Sequence, residues 1–152
     1  DRFLFKVEVK YPDLQEEVAV LHSIQRLNGT TDLSRMVNKV VTATNIIEYQ
    51  NLVRQVRVDE KLLHYIAAII HETRMNASLY LGASPRASIA VMNCAKAIAA
   101  MRNRDFVIPE DIVEMIPHVL RHRIMLTPEK EMEGIRTDDV IAQIIKMVEV
   151  PR

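Results

Sequence analysis

The opening segment, DRFLFKVEVK, alternates: Phe3, Phe5, Val7 and Val9 share one face and Leu4, Lys6, Glu8 and Lys10 the other. A period of two predicts a β-strand. From Pro12 the period lengthens, with Leu14, Val18, Leu21 and Ile24 or Gln25 spaced by three or four until Asn28-Gly29, which predicts a helix and its end. Residues 30–43, TTDLSRMVNKVVTA, fit either a short helix or a loop with a brief extended run at Val40 and Val41. A second helix is predicted from Thr44 or Asn45 to about Val56, with Glu48 in its first turn. A third, from Asp59, sets Leu62, Leu63, Ile66, Ile69, Ile70 and Thr73 on one side.

After GASP comes a long alanine-rich helix with Val91, Cys94, Ala95, Ile98 and Met101 on one face. Its small residues imply neighbours on several sides, so it is expected at the centre. VIPEDIVEMIPHVLRHRI predicts a helix from Pro109, kinked near Pro117, whose missing N–H removes a backbone bond. LTPEKE predicts a turn or short helix, and Thr137-Asp138-Asp139 opens a last helix through Val148. The expected fold is all-α, a helical bundle over residues 11–152 with one residual strand over residues 1–10. Even a two-stranded hairpin is marginal alone. The strand's partners are therefore expected in a sheet upstream, with this chain the C-terminal piece of a larger protein.

The 152 residues suffice for one domain, and few glycines, no tryptophan and abundant Ala, Ile, Val and Met lean the same way as the periodicity. Lys and Arg match Asp and Glu at 20 each, so net charge favours neither a nucleic-acid nor an anionic-membrane surface. Cys94 is the single cysteine, which excludes an internal disulfide and reads as inert core packing in a reducing compartment. No apolar run reaches the roughly 18 residues of a membrane span. A cytoplasmic location is expected.

The helix starts differ in charge. Pro12-Asp13, Asp59-Glu60, Pro109-Glu110-Asp111, Pro128-Glu129 and Thr137-Asp138-Asp139 all place carboxylates where the helix dipole is positive. Residues 81–88, LGASPRAS, do the opposite: Ser84 is placed to cap, Pro85 takes the first helical position and Arg86 follows. Free N–H groups, the dipole and a guanidinium then converge on one place, a good site for an anion and above all for phosphate. The plainer alternative is an arginine paired with a local carboxylate or lying in solvent.

Three motifs in order, DRFLFKVEVKYPD, GASPRAS and RDFVIPEDIVEMIPHVLRHRI, together resemble the C-terminal part of a MoxR-type AAA+ ATPase, the end of its nucleotide-binding core followed by its helical lid. The resemblance spans Asp1 to about Val148. It implies that Arg86 is the sensor-2 arginine reaching the nucleotide phosphates, with Ser84 beside it in the binding site. It implies that Arg2, in DRF, is an arginine finger supplied to a neighbouring subunit. It further implies ATP with magnesium as the full-length protein's cofactors, a homo-oligomeric and hexameric ring, and a chaperone-like task on clients such as von Willebrand factor A domain proteins. The chain has no G-x-x-x-x-G-K-[ST] loop and no acidic strand end for magnesium. It is therefore expected to need the core of the same chain, to hydrolyse no ATP alone and to bind no nucleotide tightly.

Other candidates are weaker. His118 and His122 have the i, i+4 spacing of two metal ligands but no third ligand, and HETRM at 71–75 lacks the second histidine of a zinc-protease helix. His64 and His71 lie with Lys61 on a polar side. Arg121-His122-Arg123 could contact phosphate, although basic residues at a helix end also complement its dipole. The eight methionines read as core filling, and Ser84 and Ser88 lack a His/Asp pattern for nucleophilic chemistry. The alternative function is a histone-like DNA-binding or helical adaptor module. Six cations within residues 83–123 (Arg86, Lys96, Arg102, Arg104, Arg121, Arg123) against four acids make nucleic acid a thinly supported partner.

Overall fold

A computed structural model describes residues 3–26 and 37–151. The chain divides into two units, residues 8–47 and residues 1–7 with 48–152. The smaller unit holds helix α1 (Leu14–Arg26), none of whose residues is buried, and the start of α2 (Ala43–Gln55). Both helices open on reciprocal side-chain caps. Asp13 N donates to Glu16 Oε2 (2.9 Å) and Glu16 N to Asp13 Oδ1 (2.8 Å); Thr42 N donates to Asn45 Oδ1 (3.0 Å) and Asn45 N to Thr42 Oγ1 (3.1 Å). The sequence-level uncertainty over residues 30–36, and the helix end at Asn28-Gly29, lie outside the described residues.

The larger unit runs α3 (Glu60–Met75), β1 (Leu79–Leu81), α4 (Pro85–Met101), α5 (Pro109–Leu120), β2 (Met125–Leu126), α6 (Pro128–Met132) and α7 (Thr137–Met147). α4 packs on α5 and α3, and α7 packs on α5 and α3, around a core that includes Ile69, Ile70, Val91, Ile112, Ile116, Leu120, Ile141 and Ile144. α4 meets this core through Ala87, Ala90, Val91, Cys94, Ala95 and Ala99. Small side chains let α5 approach closely, so α4 is central as expected. The buried face is rotated from the expected one, since Ile98 is only partly buried and Met101 is 79% exposed. In α3, similarly, Tyr65 is buried while Leu63 stays at 36% exposure. Burial, which raises the Cys94 thiol pKa to about 11, agrees with its packing role.

Two expectations about strands are corrected. Residues 3–10 form no regular element, because an alternating segment becomes a strand only with a ladder partner. Among the described residues, Lys6 N donates to His118 O across this segment at 3.3 Å. β1 and β2 instead form a small antiparallel sheet, Leu79 opposite Leu126 and Leu81 opposite Met125. It joins the chain just before α4 to the chain just after α5. Pro117 lies within α5, which runs unbroken from 109 to 120.

The turn between α4 and α5 is organised by Asp111, which is fully buried. Its carboxylate accepts two bonds from Arg104 (Nη1 2.8 Å, Nη2 2.6 Å), one from Arg102 Nη1 (3.2 Å) and one from Ile108 N (3.0 Å). Burial alone would push this carboxyl up; the Arg104 and Ile108 hydrogen bonds and the Arg104 and Arg102 charges outweigh it and hold the pKa below the ordinary value. Asn103, at φ 56°, takes the left-handed step that reverses the chain here.

Candidate functional site

The loop leading into α4 is gripped by the end of α3. Thr73, fully buried, donates from Oγ1 to Ile70 O (2.6 Å) and accepts from Ala83 N (2.9 Å). Arg74 Nε donates to Ala83 O (2.7 Å), so both backbone polar groups of this buried alanine are satisfied by two successive α3 side chains. Gly82 makes that approach possible. A Cβ there would stand 2.6 Å from Thr73 O and 2.7 Å from Arg74 Cα. The glycine is thus a contact surface for the end of α3.

Held in this way, α4 presents a bare N-terminus. Ser84 occupies the cap position with extended backbone, but its side chain makes no capping hydrogen bond, which corrects that expectation. Its carbonyl accepts from Ala87 N at 2.8 Å. Among the described helices, α4 alone combines an acid-free first turn with a cap lacking a side-chain bond; α3, for example, has Asp59 accepting from Lys61 N at 2.9 Å. Arg86 lies exposed in that first turn, and Ser84 is exposed beside it. Arg2 lies outside the described residues.

Ser84, Gly82 and Leu81 line a cleft of about 260 Å³ whose other side is His122, Arg123 and Met125. β1–β2 pairing brings these two stretches together. Burial first, and then the nearby positive charge of Arg86, lower the Arg123 pKa below its ordinary range. Two guanidiniums repelling one another beside a helix N-terminus make a place where an anion is favoured over a third cation. Sequence reasoning found Arg86 and Ser84 and left Arg123 between a phosphate contact and a dipole partner of α5. Nothing short-range marks it, since 37 positions separate it from Arg86.

The other candidates are accounted for by structural contacts. Arg121 Nη2 donates to Asp138 Oδ2 (3.1 Å) and Arg123 Nη2 to Phe3 O (2.6 Å), so the basic run serves other acceptors than the last carbonyls of α5. The His118 ring meets Phe5 edge-on, centroids 6.5 Å apart at 77°, and His122 Nε2 lies 3.1 Å from Phe3 O. Among the described residues no three His, Cys, Asp or Glu side chains are grouped to hold a metal ion, and no helix is long and apolar enough to cross a membrane. Of the six cations weighed for a DNA surface, Arg102, Arg104 and Arg121 are engaged by carboxylates. That weakens the charge argument for the histone-like alternative.

Comparison with known proteins decides the family. Residues 71–144 match the AAA lid domain. YeaC of Bacillus subtilis is 40% identical over 151 residues, 99% of this chain and 46% of YeaC. Chaperone MoxR1 of Mycobacterium tuberculosis is 32% identical over 161 residues, all of this chain and 41% of MoxR1. The chain belongs to the MoxR-type AAA+ ATPases. A crystal structure of an ATPase-assigned protein from Cytophaga hutchinsonii superimposes on the MoxR-type chain with a TM-score of 0.83 at 34% identity, over 99% of this chain and 47% of the other. This MoxR-type chain spans less than half the length of these relatives. Its lid match contains the Thr73–Ala83 grip, the bare start of α4 and the Asp111 turn.

Proposed function

We propose that the chain is the C-terminal, lid-bearing part of a MoxR-type ATPase, and that Arg86 is its sensor-2 arginine. The observation that carries this reading is the start of α4: no acid, no side-chain cap, an exposed guanidinium, and a cleft alongside. These residues suit an anionic group, which fits the triphosphate of ATP with its magnesium in the full-length protein. When bound there, the nucleotide supplies the γ-phosphoryl group whose hydrolysis drives the cycle. Arg86 then offers parallel N–H donors to phosphate oxygens and favours the negative charge that builds as that group leaves. Ser84 supplies a hydroxyl at the same edge. The Thr73 and Arg74 bonds to Ala83 hold the arginine's backbone so that little ordering remains to be done on binding.

In the same reading Arg2 serves a neighbouring subunit of a hexameric ring, residues 1–10 belong to the nucleotide-binding core, and residues 11–152 form the lid. Loss of the phosphate contact at Arg86 frees the lid to move, and the movement is passed to the next subunit. The chaperone name of MoxR1 supports remodelling or assembly of partner proteins, with von Willebrand factor A domain proteins as clients. The test is Arg86→Ala in the full-length protein. Because Arg86 is exposed, folding should be unchanged while ATP turnover falls about a hundredfold or more. Turnover at the wild-type level would refute the assignment.

A further inference from the structure

Arg123 touches two things at once. It lines the cleft opposite Ser84 and Gly82, and its Nη2 donates to Phe3 O at 2.6 Å. His122 Nε2 lies 3.1 Å from the same carbonyl oxygen and 3.3 Å from Arg123 Nε; its tautomer decides whether it donates to the carbonyl or accepts from the guanidinium. Four residues before His122, within α5, His118 O accepts from Lys6 N at 3.3 Å, and the His118 ring packs against Phe5. The segment 3–6 is therefore fastened at Phe3, Phe5 and Lys6 to the end of α5, and it is the segment that directly follows Arg2 in sequence.

We propose that Arg123 is a positioning residue that holds the backbone following Arg2 in register with the nucleotide cleft beside Arg86. This rests on the sensor-2 reading of Arg86 and the finger reading of Arg2. A long side chain lets one residue line the cleft and reach the Phe3 carbonyl, and a planar guanidinium can donate in two directions while staying flat. Nη1 is buried and makes no hydrogen bond, so the group retains donor capacity on top of the Phe3 contact. An anion at the start of α4 would relieve the repulsion between Arg86 and Arg123.

A residue that presents a finger acts on the next subunit's reaction and not on its own subunit's ATP affinity. In the full-length protein Arg123→Gln should lower kcat about tenfold with the KM for ATP changed by no more than about twofold. Arg123→Lys, which keeps the charge and one donor for Phe3 O, should recover most of that loss and serves if the glutamine variant folds poorly. Mixed rings give the deciding readout. Arg123→Gln subunits combined with subunits whose phosphate-loop lysine is removed leave live sites whose neighbours present an unaltered Arg2, so turnover per live site should rise towards wild type. Amide exchange at Lys6 should quicken in Arg123→Gln. An unchanged kcat, a KM rise of tenfold at constant kcat, or no recovery in mixed rings would overturn the proposal. Arg86→Ala assayed in parallel separates the two ideas: if it too is unaffected the sensor-2 reading fails, and if it alone is impaired only the Arg123 proposal fails.

Discussion

Thr73→Val removes one oxygen and almost nothing else. Valine keeps the β-branched shape that fills a fully buried site, but Ala83 N then loses its acceptor at 2.9 Å in a place only 1% exposed. Leaving a buried donor unsatisfied costs about 1–3 kcal/mol, and the lost bond to Ile70 O adds little because that carbonyl is within a helix. For a domain of this size each kcal/mol moves Tm by roughly 2–4 °C, so a loss near 2 kcal/mol predicts a fall of roughly 4–8 °C. Thermal unfolding of the chain followed by circular dichroism measures it, with Thr73→Ser as the control that restores the hydroxyl and most of the stability. The reasoning also demands a local effect: exchange of the Ala83 amide should accelerate more than that of core amides such as Ile116. A Tm within 1 °C of wild type, or a uniform rise in exchange, would refute the view that this hydroxyl fastens the start of α4.

Two further outcomes are expected from the same architecture. Gly82→Ala forces a Cβ to within 2.6 Å of a backbone oxygen and 2.7 Å of a backbone carbon, neither of which can swing aside; a loss of about 1–3 kcal/mol should appear as a lower urea midpoint, and an unchanged midpoint would contradict the close packing. Asp111→Ala strands the Arg104 guanidinium and Ile108 N, for a cost of about 3–5 kcal/mol. Since the folded pKa of Asp111 is depressed, its contribution is complete above its unfolded value of about 3.9 and disappears as pH falls through the folded value. The stability gap between wild type and Asp111→Ala should therefore narrow on acidification from pH 6 towards pH 2, and a gap independent of pH would count against the ion cluster.

The helices were legible because their starts and stops are written in local chemistry. Asp13, Asp59, Pro109 and Thr137 each mark a start within a residue or two of the observed one. The faces were less so. Ile98 and Met101 have the right spacing for the buried side of α4, yet the helix turns its alanines inward, because close approach to α5 rewards small side chains more than large ones. β1 and β2 are three and two residues long, too short for any period to show. The alternation at Phe3 to Val9 pointed to a strand whose ladder the described residues do not contain. At the site, the missing carboxylate before Arg86 was visible in the sequence. The roles of Thr73, Asp111 and Arg123 were not, since each depends on partners between 7 and 120 positions away.

The two-residue and three-residue strands have an effect larger than their size. By pairing residue 79 with 126 and residue 81 with 125, they tie the entrance of α4 to the exit of α5 and close the hairpin into a loop of chain sealed at both ends, its far turn sealed again by Asp111. A sealed loop resists being pried open from one leg. Force applied at residues 84–86 is shared at once with residues 121–126, so the piece behaves less like two hinged rods than like a single wishbone whose prongs have been glued.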